Sequence, residues 1–410
     1  MNYLKLGLIR EYKNPPDKRV ALLPEQCLEL QAQYPFLQVK VESSSIRCVP
    51  DDAYTQLGIE VGDDMSDCDL LLGIKEVPVD KLLSNKTYLF FSHTIKKQAH
   101  NRKLLQTVIK KNVKLVDYEC LTNERGERIV AFGYYAGIVG AYNGIRGYGL
   151  RYSLFNLKPA NQCHSMAEMI STEYPKVAAL PAIKIALVGK GRVGKGAKDV
   201  LDGMNIKQVS PEEYLTQTFS EPVYTQISSA DYYARKDGKT WDSQYFHQNP
   251  AQVYSTFERF AALTDILITT AFWHPSTPSL FSLEALKSTD FRIKVIADIT
   301  CDIEGFVPCT LKASTITEPF FDYQPHTHSL TDAFSNENHV TLMSIDNLPC
   351  ELPYDASRAF GRQLLDNVFP HLLVGHDSEK VVKRATIAEK NALTGYFEYL
   401  SDYIYSKKDE

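Results

Sequence analysis

The clearest structural signal in the chain is the stretch Ile183-Lys-Ile-Ala-Leu-Val-Gly189-Lys-Gly191-Arg-Val-Gly194-Lys-Gly196-Ala-Lys-Asp-Val-Leu201. It begins with a continuous apolar run, which is typical of a parallel strand covered on both faces. A glycine-rich turn follows, and the pattern after the turn predicts a helix. In such a turn Gly189 permits the tight bend, Gly191 lets backbone N–H groups approach a pyrophosphate, and Gly194 lets helix and strand pack closely. The stretch therefore predicts a strand–turn–helix unit that binds a dinucleotide.

A second motif overlaps the first, because Gly189, Gly194 and Lys195 also have the spacing that begins a phosphate-binding P-loop. A P-loop requires Ser or Thr at the next position to coordinate magnesium, and Gly196 stands there instead. The P-loop interpretation fails at this residue. The predicted dinucleotide contacts in the turn are Gly189, Gly191, Arg192, Val193 and Gly194.

The choice between NAD and NADP stays open in the sequence. NAD-binding folds place Asp or Glu at the end of the second strand, about 20 residues after the turn, to bind the ribose hydroxyls. Here Ser210 stands at the predicted strand end, and Glu212 and Glu213 follow two and three residues later. The displaced acids would not repel a 2′-phosphate, but no arginine nearby favours one. We therefore expect NAD or NADP, with Ser210 as a candidate contact.

Composition limits the classes of function. A chain of 410 residues is expected to form two domains, and 44% hydrophobic with 23% charged residues indicates a globular protein. A net charge of −5 provides no field that would attract nucleic acid or an anionic membrane. No apolar run is long enough to span a membrane, and the N-terminus lacks a signal-peptide pattern. Eight scattered cysteines without a CxxC pair indicate reduced thiols and no zinc site, so we expect a cytoplasmic protein without metal.

Strand and helix patterns alternate along most of the chain, which predicts an α/β fold with two doubly wound Rossmann-like domains separated by a cleft. We expect a discontinuous first domain of residues 1–155 plus 346–410, which carries the substrate and the catalytic groups. Residues 156–345 are expected to form the dinucleotide-binding domain. The predicted strands are 4–10, 37–42, 69–75, 88–93, 114–118, 184–189, 207–209, 265–271, 293–300 and 340–345.

Two further segments have a predicted conformation. Residues 132–146 contain glycines three or four residues apart, which would share one face of a helix. Each glycine weakens a helix by about 1 kcal/mol, so close packing must offset the cost, and we predict a tightly packed connecting helix. Residues 357–405 are predicted to be helical, with a break around Gly375-His376, and to return to the first domain.

Several ordered motifs resemble the superfamily of alanine dehydrogenase and lysine-forming saccharopine dehydrogenase. They are Arg19-Val-Ala-Leu-Leu-Pro24, Gly73-Ile-Lys75-Glu-Val-Pro78 and Phe90-Phe-Ser-His93-Thr-Ile-Lys96. Two later segments resemble the saccharopine branch, Val130-Ala-Phe-Gly-Tyr-Tyr-Ala-Gly137 and Ser344-Ile-Asp-Asn-Leu-Pro-Cys-Glu-Leu-Pro353. Within that branch the lysine–ketoglutarate reductase domain of bifunctional enzymes is resembled by Tyr254-Ser-Thr-Phe257 and Trp273-His-Pro-Ser-Thr-Pro278.

The resemblance implies a nicotinamide-dependent oxidoreductase that acts on a C–N bond and interconverts saccharopine with L-lysine and 2-oxoglutarate. The absence of a second dinucleotide motif leads us to expect that the glutamate-forming activity of the bifunctional enzymes is missing. An alanine dehydrogenase-like enzyme is the first alternative, and a non-catalytic dinucleotide sensor is the second. Lys75, His93 and Arg19 occur together, which argues against the sensor. Reaction direction, and monomer versus homo-oligomer, stay undecided.

The resemblance also implies that Lys75 and His93 form the acid/base pair. Both lie at the ends of predicted strands, where open α/β sheets bind their ligands. An imidazole exchanges protons near neutral pH, whereas a lysine does so only if burial or neighbouring cations lower its pKa. Glu76 and Glu119 are expected to oppose that shift and to keep Lys75 charged.

Saccharopine carries three carboxylates, so its site requires cations. The resemblance implies that Arg19 binds a substrate carboxylate in a bidentate pair, with Lys96 as a weaker second cation. Segment 297–302 resembles the part of the family that lies beside the nicotinamide, with Asp302 near the reacting groups and Asp298 structural. The predicted substrate-binding residues are Arg19, Lys96, Glu119 and Asp302, and Asp346 is added to the cofactor contacts.

Overall fold

The computed structural model of the chain describes residues 3–374 and 377–405. Its strands are β1 Leu4–Leu8, β2 Leu37–Glu42, β3 Glu60–Gly62, β4 Leu70–Leu72, β5 Thr87–Phe90, β6 Lys114–Asp117, β7 Lys184–Val188, β8 Lys207–Gln208, β9 Val223–Ile227, β10 Tyr233–Arg235, β11 Val253–Ser255, β12 Ile266–Thr269, β13 Val295–Asp298, β14 Phe321–Gln324, β15 Ser329–Thr331, β16 Val340–Met343, β17 Thr386–Glu389 and β18 Ala392–Leu393. Its helices are α1 Pro24–Gln33, α2 Asp51–Thr55, α3 Ala99–Lys110, α4 Gly133–Arg151, α5 Met166–Glu168, α6 Arg192–Gly203, α7 Pro211–Thr216, α8 Ser229–Tyr232, α9 Ser243–Gln248, α10 Glu258–Ala261, α11 Pro353–Asn367, α12 Phe369–Leu373, α13 Val381–Ala385 and α14 Ser401–Tyr405.

The chain divides into two compact units, Met1–Phe132 with Pro353–Glu410, and Gly133–Leu352. The sequence analysis placed the two divisions near residues 155 and 345. The first is later in the chain than the observed division after Phe132, and the second is earlier than the observed division after Leu352. The difference at the first division is α4, which the sequence assigned to the first domain. In the structure α4 belongs to the second unit, because its glycines pack against α6 and against strands of that unit.

The first unit is an eight-stranded sheet in the order β18-β17-β6-β5-β4-β1-β2-β3. The strands from β6 to β3 run parallel, and β17 lies antiparallel to β6. Apolar side chains of the sheet alternate between two buried clusters, with Leu6 and Leu8 in one and Ile9 and Leu71 in the other. Helices α1 and α11 cover one face, and α3 and α14 cover the other. The carboxyl ends of β1, β4, β5 and β6 therefore meet at one edge.

The second unit contains an eight-stranded sheet in the order β15-β14-β16-β13-β12-β7-β9-β8. Six of its strands run parallel, and β14 and β15 form an antiparallel edge. The two units confirm the α/β class and the Rossmann-like organisation. The strand β9 lies between β7 and β8, although it follows β8 in sequence. The strand β8, which follows α6, is thus not the neighbour of β7, which precedes α6.

The predicted glycine face of α4 is confirmed. A Cβ atom on Gly137 would lie 1.9 Å from the carbonyl oxygen of Val193, and one on Gly196 would lie 2.0 Å from that of Tyr134. No side chain fits at either position, so the backbones of α4 and α6 touch at this crossing. The loss of helix propensity at these glycines is offset by backbone contact and by burial of the neighbouring side chains.

Each of the ten predicted strands overlaps an observed strand, but the sequence missed others, including β9 and the pair β17 and β18. The prediction that residues 357–405 are helical is wrong for residues 386–393, which form an antiparallel hairpin against β6. This segment, Thr386-Ile-Ala-Glu389, is short and partly apolar, so its strand conformation depends on pairing with β6. The predicted break around Gly375-His376 lies outside the described residues. Over residues 3–374 and 377–405 no helix is long and apolar enough to cross a membrane.

Candidate active site

Lys75 lies in the irregular segment that follows β4. The Glu11 side chain, which follows β1, holds the backbone here: its Oε1 atom accepts the amide of Ile74 at 2.6 Å and its Oε2 atom accepts the amide of Lys75 at 2.9 Å. Within the described part of the chain, the Lys75 ammonium itself has no hydrogen-bond or ion-pair partner. The peptide groups around Lys75 are therefore fixed, while its amine is left to interact with a ligand.

The environment of Lys75 makes its ammonium easier to deprotonate. Burial lowers the pKa of Lys75, and the positive charges of Arg19 and Lys13 lower it further. Asp17 and Glu76 act in the opposite direction but do not reverse the shift. Glu76 opposes this shift, as the sequence analysis expected, but burial and the neighbouring cations outweigh it and the pKa of Lys75 is lowered.

Arg19 is almost completely buried and is held by Asp17. Its Nε atom donates to Asp17 at 3.0 Å and its Nη2 atom donates at 2.6 Å, and its guanidinium stacks 4.2 Å from the ring centre of Phe132. Asp17 is therefore a bidentate partner of Arg19, and the binding of a substrate carboxylate by Arg19 stays a prediction. Of the two charges, Arg19 has the larger effect on Lys75, whose pKa it lowers by more than Asp17 raises it.

His93 lies one loop further along the same edge. Its backbone is left-handed, with φ of 52°, where a short 3-10 turn begins, and its Nδ1 atom forms a hydrogen bond with Oε1 of Glu76. Burial alone would raise the pKa of Glu76, but the hydrogen bond and the charge of His93 outweigh it and lower that pKa. No hydrogen bond or ion pair joins His93 to Lys75 in the described residues. The Glu76 side chain instead links the β4 loop to His93.

Glu119 and Lys96 lie at the next position along the edge. The Lys96 Nζ atom is 3.8 Å from Oε1 of Glu119, and Arg128 contributes a second nitrogen at the same distance. The Lys96 side chain is 48% exposed, so this ion pair is weak, and the ammonium can reach a ligand. The other oxygen of Glu119, Oε2, is buried without a hydrogen-bond partner in the described residues.

Parallel pairing explains why residues so far apart in sequence form one cluster. Strands β1, β4, β5 and β6 are neighbours that end at the same edge, and the four loops bring Glu11, Lys75, His93 and Glu119 there. The sequence analysis missed Glu11 and Asp17. Their sequence signals were weak: Glu11 directly follows the predicted strand 4–10, and Asp17 stands two residues before Arg19.

The glycine-rich turn of the second unit has the geometry of a dinucleotide site. Gly189 has φ of +113°, and a Cβ atom there would lie 2.5 Å from Thr270 Oγ1. A Cβ on Gly194 would lie 2.3 Å from the carbonyl oxygen of Gly189, whereas one on Gly191 would meet nothing within 4 Å. Gly189 and Gly194 are thus required by the fold, and Gly191 leaves open space where helix α6 begins. Arg192 and Val193 are the first two residues of that helix.

A cavity of about 520 Å³ adjoins this turn. Because β9 is the neighbour of β7, the residues that follow β9, Ser228 and Ser229, line the cavity together with Gly189 and Gly191. Ser210 instead follows the outer strand β8 and caps α7, where its hydroxyl accepts the amide of Glu213 at 3.2 Å. The predicted cofactor contact at Ser210 is therefore placed away from the strand that neighbours β7.

The polar insertion between β9 and β12 forms one wall of the cavity. Strands β10 and β11 pair as an antiparallel hairpin, and α9 between them brings Phe246 and His247 to the cavity. Phe246 packs against Trp241 and Tyr233, with ring centres 5.2 and 5.7 Å apart. Trp241 thus supports the wall of the cavity by packing.

Asp302 and Asp346 are exposed and belong to the second unit. They follow β13 and β16, which are neighbouring parallel strands. Asp298 is fully buried and accepts hydrogen bonds from Thr269 and Thr310 at 2.7 and 2.6 Å, which gives it the structural role that the sequence suggested. The structure therefore groups Lys75, His93, Arg19, Lys96 and Glu119 in the first unit, and the turn, Ser210, Asp302 and Asp346 in the second.

Comparison with known proteins agrees with this architecture. Residues 7–139 match the family described as alanine dehydrogenase/PNT, N-terminal domain. The chain is 28% identical to a mitochondrial alpha-aminoadipic semialdehyde synthase of Rattus norvegicus over 96% of its own length and 47% of that protein. It is 26% identical to an NAD(+)-dependent, L-lysine-forming saccharopine dehydrogenase of Emericella nidulans over 92% of this chain and 94% of that one. The chain thus spans about half the length of the synthase.

A solved L-alanine dehydrogenase has the same fold, with a TM-score of 0.64, 17% identity, and coverage of 95% of this chain and 97% of that one. At this identity the likeness concerns the fold alone. Residues 7–139 are therefore similar to the alanine dehydrogenase/PNT N-terminal domain, and the chain as a whole is similar to L-lysine-forming saccharopine dehydrogenases.

Proposed function

We propose that the chain is a nicotinamide-dependent oxidoreductase that interconverts saccharopine with L-lysine and 2-oxoglutarate. The observation that carries this proposal is the half-buried Lys75 side chain, whose pKa is lowered, at the same sheet edge as the Glu76–His93 pair. The Emericella nidulans relative, an L-lysine-forming saccharopine dehydrogenase that matches over nearly its whole length, supports this choice of substrate. In one direction the reaction consumes saccharopine, water and the oxidised dinucleotide, and releases lysine, 2-oxoglutarate, the reduced dinucleotide and a proton.

The chain's own residues supply the proton transfers. When bound, the nicotinamide exchanges a hydride with the carbon of the C–N bond. Lys75 accepts or donates a proton at Nζ, because its lowered pKa brings that exchange closer to neutral pH. Glu76 holds Nδ1 of His93, so Nε2 is the atom that exchanges a proton with the substrate. Together these groups serve the loss and addition of water at the carbinolamine and the protonation of the lysine ε-amine.

Substrate carboxylates require the cations of this edge. Arg19 is oriented by Asp17 and contributes its charge beside Lys75, while Lys96 is exposed and able to reach a carboxylate. Glu119 forms an ion pair with Lys96, which keeps its carboxylate at this edge of the sheet. We assign Arg19, Lys96 and Glu119 to substrate binding on this basis, and Asp302 of the second unit on its resemblance alone.

The second unit fits the dinucleotide. Gly191 leaves room for a pyrophosphate at the start of α6, Gly189 and Gly194 let the turn pack closely, and the adjoining cavity is large enough for the adenosine half. Arg192 and Val193 belong to the same turn, and Asp346 is assigned to the other half of the cofactor. Ser228 and Ser229 replace Ser210 as the residues beside the adenosine ribose, since they follow the strand that neighbours β7.

The same cavity bears on the choice between NAD and NADP. The described residues that line it include no Asp or Glu, and its basic members are Lys190, His247 and His274. A carboxylate at the strand end is what rejects a 2′-phosphate in NAD-binding folds, so we propose that this cavity admits NADP as well as NAD. The cytoplasmic location expected from the sequence stays a prediction.

The test is a steady-state assay of the purified chain with lysine and 2-oxoglutarate, following NADH and NADPH oxidation separately. We expect turnover that requires both substrates, and a loss of about 10²-fold or more in Lys75→Met with the dinucleotide Kd within about twofold of wild type. Lys81→Met, an exposed lysine of the same unit, is the matched control and should behave as wild type. Turnover with ammonia and pyruvate but not with lysine would establish an alanine dehydrogenase-like enzyme instead.

A further inference from the structure

Where the pairing of β1 with β4 ends, the carboxylate of Glu11 accepts backbone amides, as the carbonyl groups of a neighbouring strand would. The backbone ladder between β1 and β4 continues as far as the amide of Ile9, which donates to Leu72 at 2.9 Å. Beyond this point the two segments separate, and the amides of Ile74 and Lys75 face the Glu11 side chain. Each oxygen accepts one amide, so a single buried side chain satisfies two consecutive peptide groups.

We propose that Glu11 is a positioning residue for Lys75: its carboxylate fixes the two peptide groups from which the Lys75 side chain projects. The catalytic consequence rests on the proposed function, whereas the positioning itself does not. Lys75 lies in a segment without helix or strand, and an irregular segment that carries a functional side chain needs such anchors to hold one conformation. Glu11 itself reaches no ligand, because it is only 8% exposed and both its oxygens are used by the backbone.

The surroundings of Glu11 show that this contact is not an ordinary surface bond. Burial and the charge of Asp17 raise the pKa of Glu11 to about 8, against the two amide hydrogen bonds and the charge of Arg19. In the turn after β6, burial and the charge of Glu11 raise the pKa of Tyr118. The Tyr118 hydroxyl is buried without a hydrogen-bond partner in the described residues. A carboxylate kept in such a place is costly to ionise, and the two amides are what stabilise its charged form.

A positioning role and a purely electrostatic role predict opposite changes at Lys75. Above its pKa of about 8 Glu11 is charged, so in that part of the pH series Glu11→Gln removes a negative charge, which by itself would lower the pKa of Lys75. It also replaces one acceptor oxygen by an NH₂ group that faces an amide, so one of the two anchors is lost. If Glu11 positions Lys75, the lysine escapes its buried environment and its pKa rises toward the usual 10.5, since burial is the largest cause of its shift.

The experiment measures the reactivity of Lys75 directly, by amine labelling with acetic anhydride across a pH series, read by peptide mass spectrometry. We expect the labelling midpoint of Lys75 in Glu11→Gln to move to higher pH than in wild type, and kcat with lysine and 2-oxoglutarate to fall about tenfold or more. Asp69→Asn is the matched control, because Asp69 accepts the amide of Lys5 at 2.9 Å at the opposite end of the same two strands. This control should label and turn over as wild type.

An unchanged or lower labelling midpoint in a folded Glu11→Gln variant would overturn the positioning role. Should that variant not fold, amide hydrogen exchange of the wild-type chain decides: we expect slow exchange at Ile74 and Lys75, and exchange at the rate of an unprotected loop would refute the proposal. Labelling that responds as expected in a chain without saccharopine turnover would uphold the positioning and reject the proposed function. The two failures are therefore distinguishable.

Discussion

The Nδ1 atom of His93 is hydrogen-bonded to Oε1 of Glu76, the residue that directly follows Lys75 in the chain. The sequence had suggested Glu76 only as a charge that opposes deprotonation of Lys75. In the structure it also connects the two proposed acid/base groups, since its backbone continues the Lys75 segment and its side chain orients the imidazole. A single carboxylate thus influences both groups.

This relationship predicts that Glu76→Gln impairs turnover more than binding. The amide cannot act as a charged acceptor for Nδ1–H, so the imidazole loses its fixed orientation and its Nε2 is no longer held toward the substrate. We expect kcat to fall about tenfold or more, with the dinucleotide Kd within about twofold of wild type. Steady-state kinetics and fluorescence titration with NADPH measure the two. Glu124→Gln, at an exposed loop position of the same unit, is the control, and equal kcat in both variants would contradict the assignment.

The crossing of α4 and α6 predicts a strong effect of one methyl group. In Gly137→Ala the new Cβ atom would lie 1.9 Å from the Val193 carbonyl oxygen, so the helices must separate. We expect the free energy of unfolding to fall by about 1–3 kcal/mol, as in other overpacked cores, measured by urea denaturation. Gly395→Ala, where a Cβ atom would meet nothing within 4 Å, should leave stability nearly unchanged. Equal stabilities of the two variants would show that the helices do not touch here.

At Gly191 we predict that an added methyl group leaves stability unchanged and weakens dinucleotide binding. Its φ of −77° suits any residue and its Cβ position is open, so Gly191→Ala should keep the wild-type free energy of unfolding. The added methyl group would occupy the space through which backbone N–H groups approach a pyrophosphate. We expect the dinucleotide Kd to rise about tenfold, which corresponds to about 1.4 kcal/mol, by fluorescence titration. Unaltered affinity would place the pyrophosphate elsewhere.

Glu11 predicts a dependence of stability on pH. Its pKa in the folded chain is raised to about 8 from a usual value of 4.5, so between these values the folded state keeps a proton that the unfolded state has released. The stability that Glu11 contributes is therefore fully present below its unfolded pKa and is lost as the pH rises through its folded pKa.

Urea denaturation at about pH 5.5 and about pH 8.5 tests this sign. We expect wild type to lose more stability between the two values than Glu11→Gln, which has no proton to release at this position. Taking the difference between the two chains cancels the contributions of other groups with raised pKa values. One such group is Glu351, whose pKa burial raises to about 7. A larger loss in the variant than in wild type would refute the raised pKa of Glu11.

Features that depend on neighbours in sequence were predictable. The strand, the glycine turn and the first turn of α6 form a continuous motif, and the glycine spacing of α4 repeats at helical period, so both followed from the sequence. Lys75, His93 and Arg19 were found because motifs around them resemble a known family. Their arrival at one edge followed from the rule that parallel strands end together.

Features that depend on strand order and on contacts across loops required the tertiary structure. The amides that Glu11 accepts lie 63 and 64 residues away, and Glu76 and His93 are 17 residues apart, so no periodicity marks these pairs. The placement of β9 beside β7 brings Ser228 and Ser229, and not Ser210, to the cavity at the glycine-rich turn. Apolar patterning tells which segments become strands, but many sheet orders bury the same strands equally well, and only the packed chain selects one of them.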